Sequence, residues 1–168
     1  MRIIAFSTIE EIVPFAETWD RLADGVPFRS WDWLSTWWRH YGPESATGSG
    51  AILCVFGVYD EADRLIGIAP CYLQLSAAKG RVLRWLGTGE VCSDYLSVLC
   101  QPHDTDRVTE ALAEYLTGPK CAQGGPHAWD LLELEGIAAD DPAVSQLLAK
   151  LVGRKCTRHE NSPVRCWS

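Results

Sequence analysis

The 168-residue chain has no long apolar run, no block of basic residues and no paired-cysteine motif. Each absence removes a class of protein. Its longest nearly unbroken apolar stretch, "AILCVFGVY", is nine residues, whereas a helix crossing a bilayer needs about twenty. The start, "MRIIAFSTIEEI", reaches two glutamates after too short an apolar segment for a signal peptide. The expectation is a cytoplasmic protein with no membrane span. Lys plus Arg number 15 against 22 for Asp plus Glu, a net charge of −7, and only "GRKCTR" near the end gathers cations. Binding nucleic acid requires a basic stripe that neutralises phosphates, so no nucleic-acid partner is expected. The seven cysteines are odd in number and form no C-x-x-C pair. Cys54 and Cys71 sit inside apolar runs, where a free thiol behaves as a small hydrophobe. Cys156, His159 and Cys166 lack a fourth ligand at zinc spacing, so no metal is expected. His40, His103, His127 and His159 have no partners at motif spacing, and no internal repeat or low-complexity tract occurs.

What remains is an ordinary globular composition, 47% hydrophobic and 22% charged. A chain of this length folds as one domain and buries roughly 70% of its unfolded surface without staples. Its most unusual stretch is "RSWDWLSTWWRHYG" (29–42), with four of the eight tryptophans. At about 100° per residue, Trp31, Trp33, Leu34, Trp37, Trp38 and Tyr41 fall within one arc of roughly 160°. Asp32, Ser35, Thr36, Arg39 and His40 fill the remainder. Ser30 suits an N-cap and Gly42-Pro43 a stop. The segment reads as an amphipathic helix that packs into the core through Trp31, Leu34, Trp38 and Tyr41. Trp33 and Trp37 lie at the edge of the arc, where an indole can be half exposed and donate its N–H.

Periodicity places a first strand over 2–6 and a helix over 14–24, with Phe15, Trp19 and Leu22 on one face. Thr8 and Glu11 match a capping box that would start a turn earlier, while Pro14 would break such an extended helix. "AILCVFGVYD" and "RLIGIAPCYLQL" read as a hairpin turning at "DEAD", with Pro70 implying a bulge or an edge. Further strands are expected over 81–87, 95–100 and 128–134. Two helices follow one grammar: Asp104 as N-cap with Gly118-Pro119 as stop, then Asp141 as N-cap, Pro142 at the first position and Gly153 just past the end. "KCTRH" would begin a last strand. The order β-α-α-β-β-β-β-α-β-α predicts a mixed α/β fold, a largely antiparallel sheet flanked by helices.

Several of these residues together resemble a known family: Trp19-Asp20-x-Leu22; Pro27-Phe28-x-Ser30-x-x-Trp33-Leu34-x-x-Trp37-Trp38-x-x-Tyr41-Gly42; the hairpin segment from Leu65 to Leu73; and Ser93-Asp94-Tyr95-Leu96. Over about residues 9–160 they are spaced like the N-terminal half of bacterial acetyltransferase-like proteins, often labelled cellulose- or polysaccharide-biosynthesis acyltransferases. Those proteins have a GNAT-like fold and are similar to the Fem-type peptidyl transferases. The resemblance implies one GNAT-like domain over 1–168, the N-terminal half of a two-domain architecture. It also implies transfer of an acyl group, from acyl-CoA or aminoacyl-tRNA, to an amine, hydroxyl or saccharide acceptor. In the family the acyl-CoA site usually belongs to the second half, and the partner here would be that half or a second copy.

The GNAT phosphate loop has a Q/R-x-x-G-x-G/A run between a strand and a helix, whose backbone N–H groups cradle pyrophosphate. The matching joint, "LSVLCQPHDTDRV", contains no glycine and carries Asp104 and Asp106, which would repel phosphate. Gly87 and Gly89 form the other Gly-x-Gly and are weak cofactor-binding candidates, since they lead into a strand rather than a helix. Glu90, Ser93, Asp94 and Tyr95, with Trp33 and Trp37, are the substrate-binding candidates at a sheet edge. There a carboxylate could deprotonate an acceptor, a tyrosine could protonate a leaving thiolate, and Asp94 could pair with Tyr95 or Arg84. The competing expectation is a non-catalytic, degenerate GNAT module that grips a saccharide or a protein through Trp33 and Trp37; a standalone acetyltransferase is disfavoured by the glycine-free joint.

Overall fold

The computed structural model describes residues 1–42, 50–89, 91–154 and 156–159. A mixed, largely antiparallel open sheet runs β1 (Arg2–Phe6), β2 (Ile52–Tyr59), β3 (Leu65–Ser76), β4 (Gly80–Trp85), β6 (Leu131–Glu133), and β5 (Leu99–Cys100) also pairs with β3. Helices flank it: α1 (Ile9–Ile12), α2 (Ala16–Ala23), α3 (Trp31–Tyr41), α4 (Thr105–Thr117) and α5 (Pro142–Gly153).

Both faces of the sheet are covered. Tyr72 of β3 packs its ring against Trp37 and Trp38 of α3. On the opposite face, Phe56 of β2 meets Tyr115 of α4, and Gly67 of β3 lies under Val108, where a side chain would collide. Residues 53–59 of β2 are therefore buried without alternation, because neither set of side chains faces water.

The start of the chain resolves the competition between Thr8 and Pro14. Thr8 and Glu11 form the reciprocal capping box, giving the single-turn α1. Pro14 then lies in a 3-10 turn, Val13–Phe15, before α2 begins. In α3, Ser30 caps the N-terminus through Trp33 N–H, and Trp31, Leu34, Trp37 and Trp38 are buried. Tyr41 departs from expectation and is 42% exposed. It lies in the last turn, with its ring against Trp37 rather than under the sheet.

Pro70 sits inside β3, opposite Val55. Its carbonyl accepts from Leu86 N–H on the β4 side. Its nitrogen, which has no hydrogen to donate, faces that same side and costs β2 no ladder bond. The strand line beside β3 breaks there. β4 ends with Trp85 opposite Cys71, and β5 resumes with Leu99 opposite Ile68. Between them, residues 86–89 and 91–98 form no strand.

Other strands are shorter than their sequence suggests. The expected strand over 95–100 keeps only Leu99–Cys100, because 93–98 is held by loop contacts rather than a ladder. The strand over 128–134 shrinks to Leu131–Glu133, parallel to β4. Residues 156–159 form no strand. Asp141 caps α5 as expected, accepting from Val144 N–H at 2.9 Å. Gly153 is the last residue of α5, and Arg154 is its C-cap. Asp104 precedes α4 without a side-chain cap bond and instead pairs with Arg107 at 3.3 Å and with His103.

Candidate functional site

The segment 87–98 connects the two halves of the broken strand line, and it contains most of the candidate residues. Gly87 and Gly89 open it at positive φ, +92° and +110°. L side chains rarely adopt such values. A side chain at Gly87 would also press on Ser93 Oγ and Leu34. Ser93 N–H donates to Gly87 O at 2.8 Å, closing the loop on itself. Thr88 Oγ1 donates to Trp85 O at 2.8 Å and lies 3.4 Å from Tyr72 Oη. The two glycines thus shape a turn.

The α3 helix holds this loop from one side. Trp33 Nε1 donates to Ser93 Oγ at 2.8 Å, and Trp37 Nε1 donates to Val91 O at 3.0 Å. The edge tryptophans do donate their N–H groups, but to the chain itself. Ser93 is 1% exposed and Trp37 5%, so both pin the loop instead of facing a ligand. Trp33 is 36% exposed, with Phe28 edge-on at 5.3 Å.

A polar node that the sequence does not reveal holds the other side. Arg29 Nε donates to Tyr95 O, and Arg29 Nη2 meets Asp141 Oδ2 at 3.1 Å. Asp141 Oδ1 accepts from Ser97 Oγ at 3.0 Å as well as from its capping partner. Leu96 N–H donates to Gly136 O at 2.8 Å. Asp141 therefore joins the turn before α3, the loop and the start of α5. Its D-P-A signature indicates only a helix cap; Arg29 lies 112 residues away in sequence, and no local pattern announces such a pair.

Among the described residues of the segment, Gly89, Val91, Cys92, Asp94 and Tyr95 are exposed. Tyr95 is 58% exposed and adopts φ +60°, an uncommon conformation for an aromatic residue, held in place by Arg29. Among the described residues the Asp94 carboxylate makes neither a hydrogen bond nor an ion pair. The expected Arg84 partner is engaged elsewhere: Arg84 pairs with Glu133, which also accepts from Lys79 Nζ at 2.6 Å. Glu90 lies outside the described residues.

The strand-to-helix joint does not fit an acyl-CoA pyrophosphate. It is a proline-led 3-10 turn, Pro102–Asp104, in which Asp104 N–H bonds to Gln101 O and Thr105 N–H to Pro102 O. Amides that would cradle phosphate are thus spent within the chain. Charge is the lesser obstacle, because Asp104 is paired with Arg107 and Asp106 with Lys150 at 2.8 Å. The Leu96–Gly136 and Ser97–Asp141 bonds tie the neighbouring loop to the segment that leads into α5. Among the described residues no cluster of three or more His, Cys, Asp or Glu could hold a metal ion, and no helix is long and apolar enough to cross a membrane.

No family model matches the chain, and no curated protein does. Among solved structures, a point mutant of the BH1408 protein from Bacillus halodurans aligns over 98% of this chain and all of that one, at 13% identity and a TM-score of 0.40.

Proposed function

We propose that this chain is the acceptor-side, scaffolding half of a GNAT-like acyltransferase, with the acyl donor bound by a second half. The acceptor would be an amine, a hydroxyl or a saccharide. The observation that carries this reading is the asymmetry of the segment 87–98. Its inward groups are all committed: Ser93 and Val91 to tryptophans, Tyr95 O to Arg29, Leu96 N–H to Gly136. Its outward groups, Asp94 and Tyr95 beside the half-exposed Trp33, remain unengaged on a rigid base, and pre-set geometry of that kind suits ligand contact. Asp94 would serve as the proton acceptor or hydrogen-bond acceptor toward the incoming nucleophile.

Support for a non-catalytic module that grips a saccharide rests on Trp33. Phe28 packs against the indole in a T-shaped arrangement and part of the ring still meets solvent, which leaves aromatic surface on which a sugar could stack. Calorimetry separates these readings from that of a standalone enzyme. Acetyl-CoA titrated into this chain should give no binding heat. Micromolar binding lost on substitution of Gln101 to Asp106 would sink the proposal. With acyl transfer by the two-half protein as readout, Asp94→Asn should abolish activity. Its folding stability should move by less than about 0.5 kcal/mol, as for an unengaged surface group. Full activity in that variant would leave only the gripping role.

A further inference from the structure

Among the described residues, three that are not glycine adopt positive φ: Asp24, Asp63 and Tyr95. The first two need no special account. Asp24 ends α2 as its left-handed C-cap, and Asp63 closes the β2–β3 turn with its N–H on Asp60 O. A short aspartate side chain visits that region readily. Tyr95 is bulky, ends no helix, and is 58% exposed, so packing of its side chain does not offset the strain. Backbone strain of this kind persists only where the surroundings over-determine it.

We infer that Arg29 is a positioning residue for the loop tip: anchored on Asp141, it holds the Tyr95 carbonyl so that residues 94 and 95 stand out from the surface. The inference rests on the acceptor-side reading for its catalytic consequence and on geometry alone for the rest. On either side of the tip the chain is fixed inside. Ser93, 1% exposed, accepts the Trp33 indole N–H and gives its own N–H to Gly87 O. Leu96, also 1% exposed, gives its N–H to Gly136 O, and Ser97 Oγ donates to Asp141. Two residues between such anchors bulge outward, and the Tyr95–Leu96 peptide plane sets their direction. That plane is held at both ends, by Arg29 Nε on the Tyr95 carbonyl and by Gly136 O on the Leu96 N–H.

The side chain that does this has to be an arginine. Its rigid fork gives Nε to Tyr95 O and Nη2 to Asp141 Oδ2, the latter at 3.1 Å, whereas a lysine is a single point donor. Asp141, with a side chain 5% exposed, is itself fixed by capping α5. The pairing also absorbs the guanidinium charge, so this cation serves Asp141 and not Asp94. The carboxylate one residue before Tyr95 is thereby left without an ion pair among the described residues.

A double-mutant cycle on this chain tests it, read by hydrogen exchange at the Leu96 amide. Arg29→Lys should speed that exchange about tenfold while the amides of 53–58 stay protected. Tyr95→Gly removes the strain, because glycine adopts positive φ freely. In that background Arg29→Lys should speed the exchange less than about threefold. The strong intraresidue HN–Hα Overhauser contact that marks positive φ should be present at Tyr95 in the parent and absent in Arg29→Lys. With acyl transfer by the two-half protein as readout, Arg29→Lys should lower kcat about tenfold, because a small misplacement at a reacting group is costly. KM for acetyl-CoA should not change, since the donor is bound by the other half. Equal acceleration in both backgrounds overturns the inference, and so does exchange that rises at 53–58 as much as at Leu96. It is also overturned if Tyr95 keeps its positive φ in Arg29→Lys, or loses it with kcat intact. A parent without acyl transfer overturns the acyltransferase reading alone, because the cycle needs no substrate.

Discussion

The β2–β3 hairpin and the segment 86–98 both border the middle of the sheet, yet they are held by different forces. The hairpin has an eight-residue register interrupted only next to Tyr59, and both of its faces are packed. Backbone bonds and apolar burial determine it, and few polar side chains take part. The segment 86–98 has almost no ladder. It is positioned by side chains from distant parts of the chain: two indoles from α3, a guanidinium from the turn before α3, and the capping carboxylate of α5. Apolar packing tolerates similar shapes, whereas a hydrogen-bonded pin needs one particular donor at one particular place. The pinned region is therefore the one that can hold outward groups such as Asp94 and Tyr95 in a fixed, partly strained geometry.

The largest expected effect lies on the hairpin side. Trp38→Ala removes a buried indole that packs on Tyr72 and over Gly42, and should cost about 3–5 kcal/mol in denaturant unfolding. An unfolding midpoint equal to that of the parent would contradict the packed-helix account of α3.

Next comes the polar node. Asp141→Ala leaves the Arg29 guanidinium without its carboxylate, strips Ser97 Oγ of an acceptor and uncaps α5. A loss of about 3 kcal/mol is expected, as for a buried pair broken from one side. Hydrogen exchange sharpens the comparison: amides of 93–98 should lose protection relative to those of 53–58. Equal loss in both regions would mean that the segment is not separately pinned.

Trp33→Phe is a smaller, cleaner cut. It keeps a ring against Phe28 but deletes the donor to Ser93, for about 1 kcal/mol. The tyrosine and aspartate at the loop tip should become mobile on the NMR timescale. A loop tip as rigid as in the parent would show that Gly87 and Ser93 alone fix the turn.

The smallest effect is a pH dependence on the α4 face of the hairpin. His127 Nδ1 lies 3.0 Å from Tyr115 Oη, and burial, helped by Lys120 and Arg81, holds the imidazole below its usual 6.5. The folded state thus favours neutral histidine. This contribution is fully present above about 6.5 and is lost as pH falls through the depressed folded value, because the unfolded chain binds the proton more readily. His127→Gln should flatten that part of the stability–pH curve, and an unchanged slope would assign it to another group.

Periodicity and punctuation were enough to determine the helices, the hairpin, the layer architecture and the burial of Trp31, Leu34 and Trp38 in α3, because those depend on local propensity and on which residues avoid water. They did not determine the exposure of Tyr41 or the burial of Trp37. The cap at Asp141, the capping box at Thr8 and the break at Pro14 are equally local, since each bond closes within a few residues. The tertiary structure decided the rest. It showed that Trp33 and Trp37 donate inward, that Arg84 serves Glu133 instead of Asp94, and that Asp141 is a hub as well as a cap. It also showed that Pro70 lies inside a strand, with its missing donor turned to the one side where the ladder is broken. These outcomes depend on pairs such as Arg29 with Asp141 and Trp33 with Ser93. Each is set by where two remote segments come to rest, so no window of sequence contains the information, and only the packed chain supplies it.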